Sequence, residues 1–573
     1  MELKEKIEKF ICSKMGVSGK KDILAWFSKS RKDGYTLPGL AEAKKYIDKH
    51  KNGSITIVGD YDVDGQCATH ILEAALKKYG CQNVSVEIPH PFTDGYGINA
   101  AIIDRIKQKG LILTCDNGIA AIEAVSYAKS EGFDVVVTDH HEPAYEKNRP
   151  VKNPADVVID LKAHNPGKVF DGYCGAGIAY KLAAYLLPDD FRLRRELEVF
   201  AGIATVCDCV PLIEENFVFV FETLARINRS LEGSEHSEIN AGLFALLNMN
   251  RINHLDAEKI GFSIGPVLNA KRRLCENENG AMTALALLDA TQYDAAIELA
   301  NDLRYYNDKR KALVREAFAE AEKNAEKYKE DNILVVYLPN VKKGIVGIVA
   351  GKLAEKYAVP CICLTEDTDQ QYLCGSARSV EAVDIKAALD KIHPFLLKFG
   401  GHKGAAGLTL HRSNLESVRT HLNEIMNEIG FAKSANKVEF DIEIDAAEIG
   451  DALEAQSAFE PFGMNNPKPV FHIKNFRVVP SYGKYVKALA SDGIKLENIN
   501  GITAVGFGLD TDITENSSPR IVDIVGTLSY NWYGARSIKE AKPQVSITSI
   551  RDVTEPLSVG PLAEKIAREK KKN

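Results

Sequence analysis

The sequence has no run near the roughly 18 apolar residues that a membrane-spanning helix requires. Its amino terminus, MELKEKIEKF, is charged and patterned as a helix, where a secretory signal would carry an apolar stretch after its first basic residues. The eleven cysteines are scattered and form no C-x-x-C pair, so neither a zinc or thiol-redox signature nor a disulfide framework is evident. Cys207 and Cys209, like Cys361 and Cys363, alternate within short apolar runs and read as reduced strand residues. The net charge of -7 excludes a protein basic all over, although a local groove can still be cationic. These absences point to a cytoplasmic globular protein with no membrane partner. At 573 residues it is too long for one core, and about 100 to 200 residues per domain gives three or four.

What the chain does have is SITIVGDYDVDG, an apolar strand from Ser54 running into a loop with three carboxylates. Asp60, Asp62 and Asp64 alternate with Tyr61 and Val63, so an extended backbone would project all three to one side. Like charges that close call for a cation between them, and hard divalent ions take oxygen ligands. A lone D-x-D would read as a solvated acidic turn. Here further candidates follow similar apolar runs. LILTC ends in Asp116, Asn117 and Gly118, VVVT ends in Asp139, His140 and His141, and AGIATVCDCVPL carries Asp208.

Strands and amphipathic helices alternate through this part of the chain, the signature of a parallel sheet covered on both faces. Ligands gather at the carboxyl ends of such strands. The expected organisation is a helical segment over 1–50, this parallel α/β domain over 51–230 and a helical connector over 231–330. A smaller α/β domain over 331–432, an OB-like β-barrel over 433–555 and a basic tail over 556–573 complete it. The connector ends in a charged helix of about 35 residues, some 50 Å long at 1.5 Å per residue. Its Arg304, Lys309 and Arg310 read either as a solvated face or as phosphate contacts.

In the smaller domain GSARSV and FGGHKGAAGLTL read as glycine-rich loops, where backbone amides, Arg378, His402 and Lys403 can approach phosphate. In the barrel Tyr482, Tyr485, Trp532 and Tyr533 are candidates to stack bases, with burial as the ordinary alternative.

Carboxylates and imidazoles on four such segments suit two divalent ions, Mn²⁺ or Mg²⁺ rather than Zn²⁺ because oxygens dominate the ligands. The reaction class that follows is hydrolysis of a phosphoester.

The motifs GDYDVDG, CDNG, TDHHEP and CDCVPL resemble those of the DHH phosphoesterases, and FGGHKGAAG resembles the signature of their associated substrate-binding domain. GFSIGPVLNAKRRL and PFGMNNPKPVF resemble the branch of that superfamily that degrades single-stranded DNA from the 5′ end to mononucleotides in recombination and repair. The resemblance implies that Asp62 and Asp64 each favour one metal, that Asp116 bridges, that His140 and Asp208 complete the pair, and that Asp60 is a further ligand. His141 resembles the residue that contacts the scissile phosphate or supports the metal shell, and Asp139 the acceptor that orients a histidine.

Arg273, Ser376, Arg378, Gly401 and His402 would hold substrate phosphates across a cleft between the two α/β domains, with Asn269, Asn307 and Arg310 shaping the channel. Single-stranded DNA is the implied substrate, and a single-strand-binding protein and a helicase are the implied partners of a monomer. Two positions depart from the family pattern by lacking a cation: Pro91 before FTDGYG, and Val267 in GPVLNA. Lys271 and Arg272 are the candidates to compensate. Related readings are a shorter-substrate DHH phosphodiesterase, acting on oligoribonucleotides or cyclic dinucleotides, and a catalytically silent DNA-binding scaffold.

Overall fold

A computed structural model describes residues 2–32, 36–146, 149–233, 239–367, 369–432, 438–480, 493–498, 500–507, 509, 520–532, 534–535, 540–551 and 558–559. The chain divides into two compact units. One comprises Met1–Pro266, Ala284–Ala300 and Val438–Asn573, the other Val267–Thr283 and Asn301–Lys437.

The first unit is built on five parallel strands: β1 Ser54–Val58, β2 Asn83–Glu87, β3 Leu111–Cys115, β4 Asp134–Thr138 and β5 Val157–Ile159. Their order is β2-β1-β3-β4-β5, so the chain reverses its direction of travel across the sheet between β1 and β3. Ligand crevices open beside such a switch point, beyond the carboxyl ends of the strands. Ile55, Ile57, Leu111, Leu113, Val135 and Val137 are buried, as strands covered on both faces must be.

Two local expectations change. The DYDVDG loop does not stay extended, because the Asp62 side chain accepts the N–H groups of Asp64 and Gly65 and so caps the helix Val63–Tyr79. AGIATVCDC is not a strand. It is the end of the helix Phe191–Cys207, with Asp208 at its C-cap and Cys209 beyond it at φ 55°. A buried helix that is apolar all round gives the same short apolar run as a core strand.

The second unit holds β6 Leu334–Tyr337, β7 Cys361–Glu366, β8 Tyr372–Arg378, β9 Leu396–His402 and β10 Ala405–His411, ordered β9-β10-β8-β7-β6. Only β6 and β7 run parallel; the other pairings are antiparallel. Cys361 and Cys363 are strand residues here, as expected. GSAR and FGGH are strand segments rather than loops, since the ladder supplies the order that their glycines do not signal. The long helix Tyr293–Ala325 has 33 residues, about 50 Å of helix, and its first eight residues belong to the first unit.

Six longer strands return to the first unit: β11 Ile442–Asp445, β12 Phe471–Pro480, β13 Gly493–Asn498, β14 Thr503–Phe507, β15 Arg520–Asn531 and β16 Lys542–Arg551. β12, β13, β14, β16 and β15 pair in that order, and β15 pairs back onto β12, which closes a five-stranded barrel with β11 appended. This is the OB-like barrel expected from the sequence. Of its proposed stacking aromatics, Tyr482, Tyr485 and Tyr533 lie outside the described residues. So does the basic tail, apart from Ser558 and Val559. Trp532 stacks on His254, with ring centroids 3.6 Å apart and planes at 12°.

The amino-terminal helix Leu3–Met15 joins the barrel core, with Ile7, Phe10 and Ile11 in one apolar cluster with Ile449, Leu453, Phe459 and Phe476. The barrel is therefore packed from both ends of the sequence. Replacing Phe10 by Ala leaves a cavity in that shared core and should cost about 3–5 kcal/mol. A lowered urea midpoint for barrel unfolding is the expected readout, and an unchanged midpoint would show the helix to be a dispensable appendage.

Candidate active site

Three of the four predicted segments deliver their residues from strand ends and the fourth from a helix end. β1 leads into Asp60, Asp62 and Asp64, β3 into Asp116, β4 into Asp139, His140 and His141, and the helix Phe191–Cys207 ends at Asp208. Ligand atoms converge within 4.8 Å of one another in three groups: Asp60 with Asp62 and Asp116, Asp64 with His140 and Asp208, and Asp116 with His140 and His141. Asp116 and His140 each belong to two groups. The His140 Nε2 atom lies 3.2 Å from Asp116 Oδ1 and 3.6 Å from both Asp64 Oδ2 and Asp208 Oδ2.

Backbone geometry holds these groups in place. Asp116 sits at φ 62°, a left-handed conformation that aspartate tolerates better than most residues. The following Asn117 donates through Nδ2 to the carbonyls of Val58 and Cys115 at 3.0 and 2.9 Å, and its Oδ1 accepts the Ile98 N–H. Asn117 thus ties the ends of β1 and β3 together. Asp64 accepts the N–H groups of Gly175 and Ala176 at 2.6 and 2.7 Å, at the amino end of the helix Gly175–Leu186.

Gly175 is required there, because a Cβ would lie 2.5 Å from the Cβ of Asp116. Asp139 accepts the Ile119 and His140 N–H groups at 2.9 and 2.7 Å and contacts His141 Nδ1 at 2.8 Å. The Tyr96 hydroxyl donates to the Asp116 carbonyl at 3.1 Å and lies 3.3 Å from His141. Tyr96, Asn117 as a strand clamp and Gly175 carry no sequence signal for these tasks, since each depends on contacts with distant segments.

The electrostatics follow from crowding acids in a buried place. Burial, then the charges of Asp64, Asp62 and Asp60, hold the Asp116 carboxyl far above the usual range. Burial also raises Asp64, although His140 opposes it. Asp208 is pushed up to about 8, first by burial and then by Asp64 and Asp62. Burial holds His140 below the ordinary histidine value. For His141 burial acts downward, but the bond to Asp139 prevails and raises it to about 9. Burial pushes Asp139 up, yet His141 holds it below the usual carboxylate range.

A divalent cation fits this donor set. The Asp116 Oδ1 and His140 Nε2 atoms are buried and make no hydrogen bond among the described residues, and both belong to the convergent groups. Oxygen donors dominate, as Mn²⁺ and Mg²⁺ prefer.

The predicted phosphate contacts all belong to the second unit. Ser376 and Arg378 lie on β8, paired through β10 with Gly401 and His402 on β9: Arg378 faces Ala405, which faces His402. Arg378 donates to Ser376 Oγ at 2.7 Å, and Gly347 leaves the space it occupies, since a Cβ there would stand 2.9 Å from its Nη2. Arg310 donates to the buried Asn307 at 2.9 Å, and burial lowers the pKa of both Arg310 and Arg378. Arg273 donates to the Gly344 carbonyl at 3.3 Å, and Asn269 accepts from Arg272 at 2.7 Å. Lys271 is buried and paired with Asp302 at 2.7 Å and Glu278 at 2.9 Å, so its charge is engaged within the fold.

Three family models match the chain: the DHH family N-terminal domain over 54–205, the DHHA1 domain over 330–428 and the RecJ OB domain over 440–542. The single-stranded-DNA-specific exonuclease RecJ of Salmonella typhimurium is 30% identical over 516 residues, covering 85% of this chain and 86% of its own. The chain belongs to the RecJ family.

Bacillus subtilis RecJ is 32% identical over 535 residues, which cover 90% of this chain but 64% of that longer relative. The fold is that of Thermus thermophilus RecJ in complex with Mn²⁺, at a TM-score of 0.72 and 24% identity over 91% of this chain and 72% of that one. The same relative in complex with Mg²⁺ gives 0.66 at 23% identity over 91% and 71%. No helix among the described residues is long and apolar enough to cross a membrane.

The raised carboxyls give a signed pH dependence. In the metal-free RecJ fold Asp208 keeps its proton up to about 8, whereas in the unfolded chain it loses it near 3.8. The folded state therefore binds the extra proton between those values, and metal-free stability should fall as pH rises through that window. A divalent ion must displace the proton, so Mn²⁺ affinity should rise between about pH 6 and 8, with proton release detectable by calorimetry in two buffers. Gly175→Ala, by displacing Asp116, should weaken Mn²⁺ binding at least tenfold. Affinity that ignores both pH and this substitution would place the ions elsewhere.

Proposed function

We infer that this chain is a divalent-metal-dependent exonuclease of single-stranded DNA, cleaving from the 5′ end to release mononucleotides in recombination and repair. The observation that carries the reading is the convergence of Asp60, Asp62, Asp64, Asp116, His140 and Asp208 in overlapping groups beyond the switch point of a parallel sheet. Family membership supplies the substrate class, since the named relatives are single-stranded-DNA-specific exonucleases.

Asp60 and Asp62 would hold one Mn²⁺ or Mg²⁺ ion and Asp64, His140 and Asp208 a second, with Asp116 shared between them. When bound, such a pair supplies an activated water and neutralises charge on the phosphate under attack. The protein's own groups do the positioning. Asp139 holds His141 by its Nδ1 atom, which presents the imidazole to a non-bridging phosphate oxygen. Asn117 and the Gly175 amide keep Asp116 and Asp64 from relaxing apart. Arg273, Ser376, Arg378, Gly401 and His402 bind the phosphates of the strand, with Asn269 and Arg310 supporting them.

The OB-like barrel grips single-stranded DNA beyond the cleaved nucleotide, as such barrels do through stacking and charge. The enzyme works in the cytoplasm as a monomer, alongside a single-strand-binding protein and a helicase that supply its substrate. A silent scaffold is the weaker reading, because such a role puts no pressure on a complete ligand set.

End-labelled single strands test the proposal. With Mn²⁺ or Mg²⁺, a 5′-labelled strand should yield labelled mononucleotide at once, while a 3′-labelled strand should shorten progressively. Asp116→Ala should lower the rate at least a thousandfold, and Arg378→Ala should act mainly through KM. Release of label from the 3′ end first would reverse the polarity, and undiminished activity of Asp116→Ala would remove the metal assignment.

A further inference from the structure

The helix that ends at Asp208 begins 17 residues earlier, so its amino end stands roughly 25 Å from the carboxylates. A cavity of about 510 Å³ opens there, lined by Arg31, Arg194, Arg195, Arg226 and Arg229. Two carboxylates share the lining, Glu198 and Glu222, and both engage Arg226, at 2.9 and 3.3 Å. Arg226 is only 6% exposed and also donates to the Arg195 carbonyl at 3.1 Å, so it is a fixed part of the wall.

Solvated surface arginines are the ordinary alternative, and it accounts for part of the cluster. Arg31 and Arg229 close their helices, where the dipole favours cations. Arg194 is held within the fold, donating to the Pro188 carbonyl at 3.0 Å and lying over the Phe191 ring at 5.7 Å, and neither it nor Arg195 is explained by a favourable helix dipole. They stand in the opening turns of the helix Phe191–Cys207, the end at which the dipole disfavours cations and favours anions. Five guanidiniums from three helices, facing two carboxylates in a chain of net charge -7, form a place built for an anion. Guanidinium forks match phosphate oxygens. The remaining wall is Ser30 together with the apolar and aromatic Phe27, Tyr180, Val218 and Phe191, of which Phe191 is 65% exposed. The volume falls in the range of small-ligand sites.

We propose that this cavity is a second, non-catalytic site for a nucleoside monophosphate, with the phosphate on the arginines and the base against the phenylalanines. Its ligand is either a mononucleotide released by the chain itself or one from the cellular pool. The site stands on its own residues; only the assignment of its ligand to released product rests on the exonuclease reading.

Calorimetric titration of dAMP into the full chain in EDTA tests it. One saturable site is expected, at least tenfold weaker for Arg195→Glu/Arg229→Glu and unchanged for Arg378→Ala. Deoxyadenosine, which lacks the phosphate, should bind at least tenfold more weakly. Equal binding of AMP assigns the site to the cellular pool, and a preference for dAMP assigns it to the released product. Should the double variant melt early, photo-crosslinking of 8-azido-dAMP to the wild-type chain gives the answer, with label expected on the peptide containing Phe191. No dAMP binding, equal affinity in a folded double variant, or tight binding of an acidic phenylalanine-bearing peptide with none of dAMP would overturn the proposal.

Discussion

The carboxyl ends of the parallel strands in the first unit are arranged around the mutual repulsion of five aspartates held at one spot. Two carboxylates within 4.8 Å repel by about 3–4 kcal/mol at an effective dielectric of 20, and several such pairs coexist here. The fold offers partial relief. Asp64 accepts two amides at the start of the helix Gly175–Leu186, and Asp62 accepts two at the start of its own helix. Helix termini contribute only about 0.3–1 kcal/mol each, too little to balance the cluster. Asp208 lies at a helix C-cap, where the dipole is unfavourable to it and favourable to a cation. The balance closes with protons or with divalent ions, which is why burial leaves Asp64, Asp116 and Asp208 with raised pKa values.

The scaffold resists the relaxation that repulsion would otherwise drive. Parallel strands with buried faces fix where their loops begin, and the side chain of Asn117 bridges β3 to β1. Gly175 lets a helix end approach Asp116 more closely than any side chain would permit. Strain is visible at Asp116 itself, in its left-handed backbone. Such a residue persists only where its surroundings over-determine it.

Much of this was legible in the sequence because the chemistry is local. Asp60, Asp62, Asp64, Asp116, His140 and His141 each follow an apolar strand within a few residues, so the alternation of strand and helix was enough to bring them together. The barrel was legible from short strands at regular spacing. What escaped depends on tertiary context. AGIATVCDC reads alike as buried strand and buried helix, and only packing decides. The strands carrying Ser376, Gly401 and His402 read as loops because glycine masks the alternation. Lys271 looked like a spare cation until the buried pairs with Asp302 and Glu278 came into view. No spacing rule links Phe10 to the barrel, or Gly175 to Asp116.

The central claim is that the aspartate cluster is a two-ion site. Counting Mn²⁺ bound per chain by electron paramagnetic resonance tests it most directly, on the wild type and on the Asp208→Ala variant. A two-ion site gives two ions with spin coupling in the wild type, and one uncoupled ion in the variant. A single uncoupled ion in the wild type, or two coupled ions in Asp208→Ala, would contradict it.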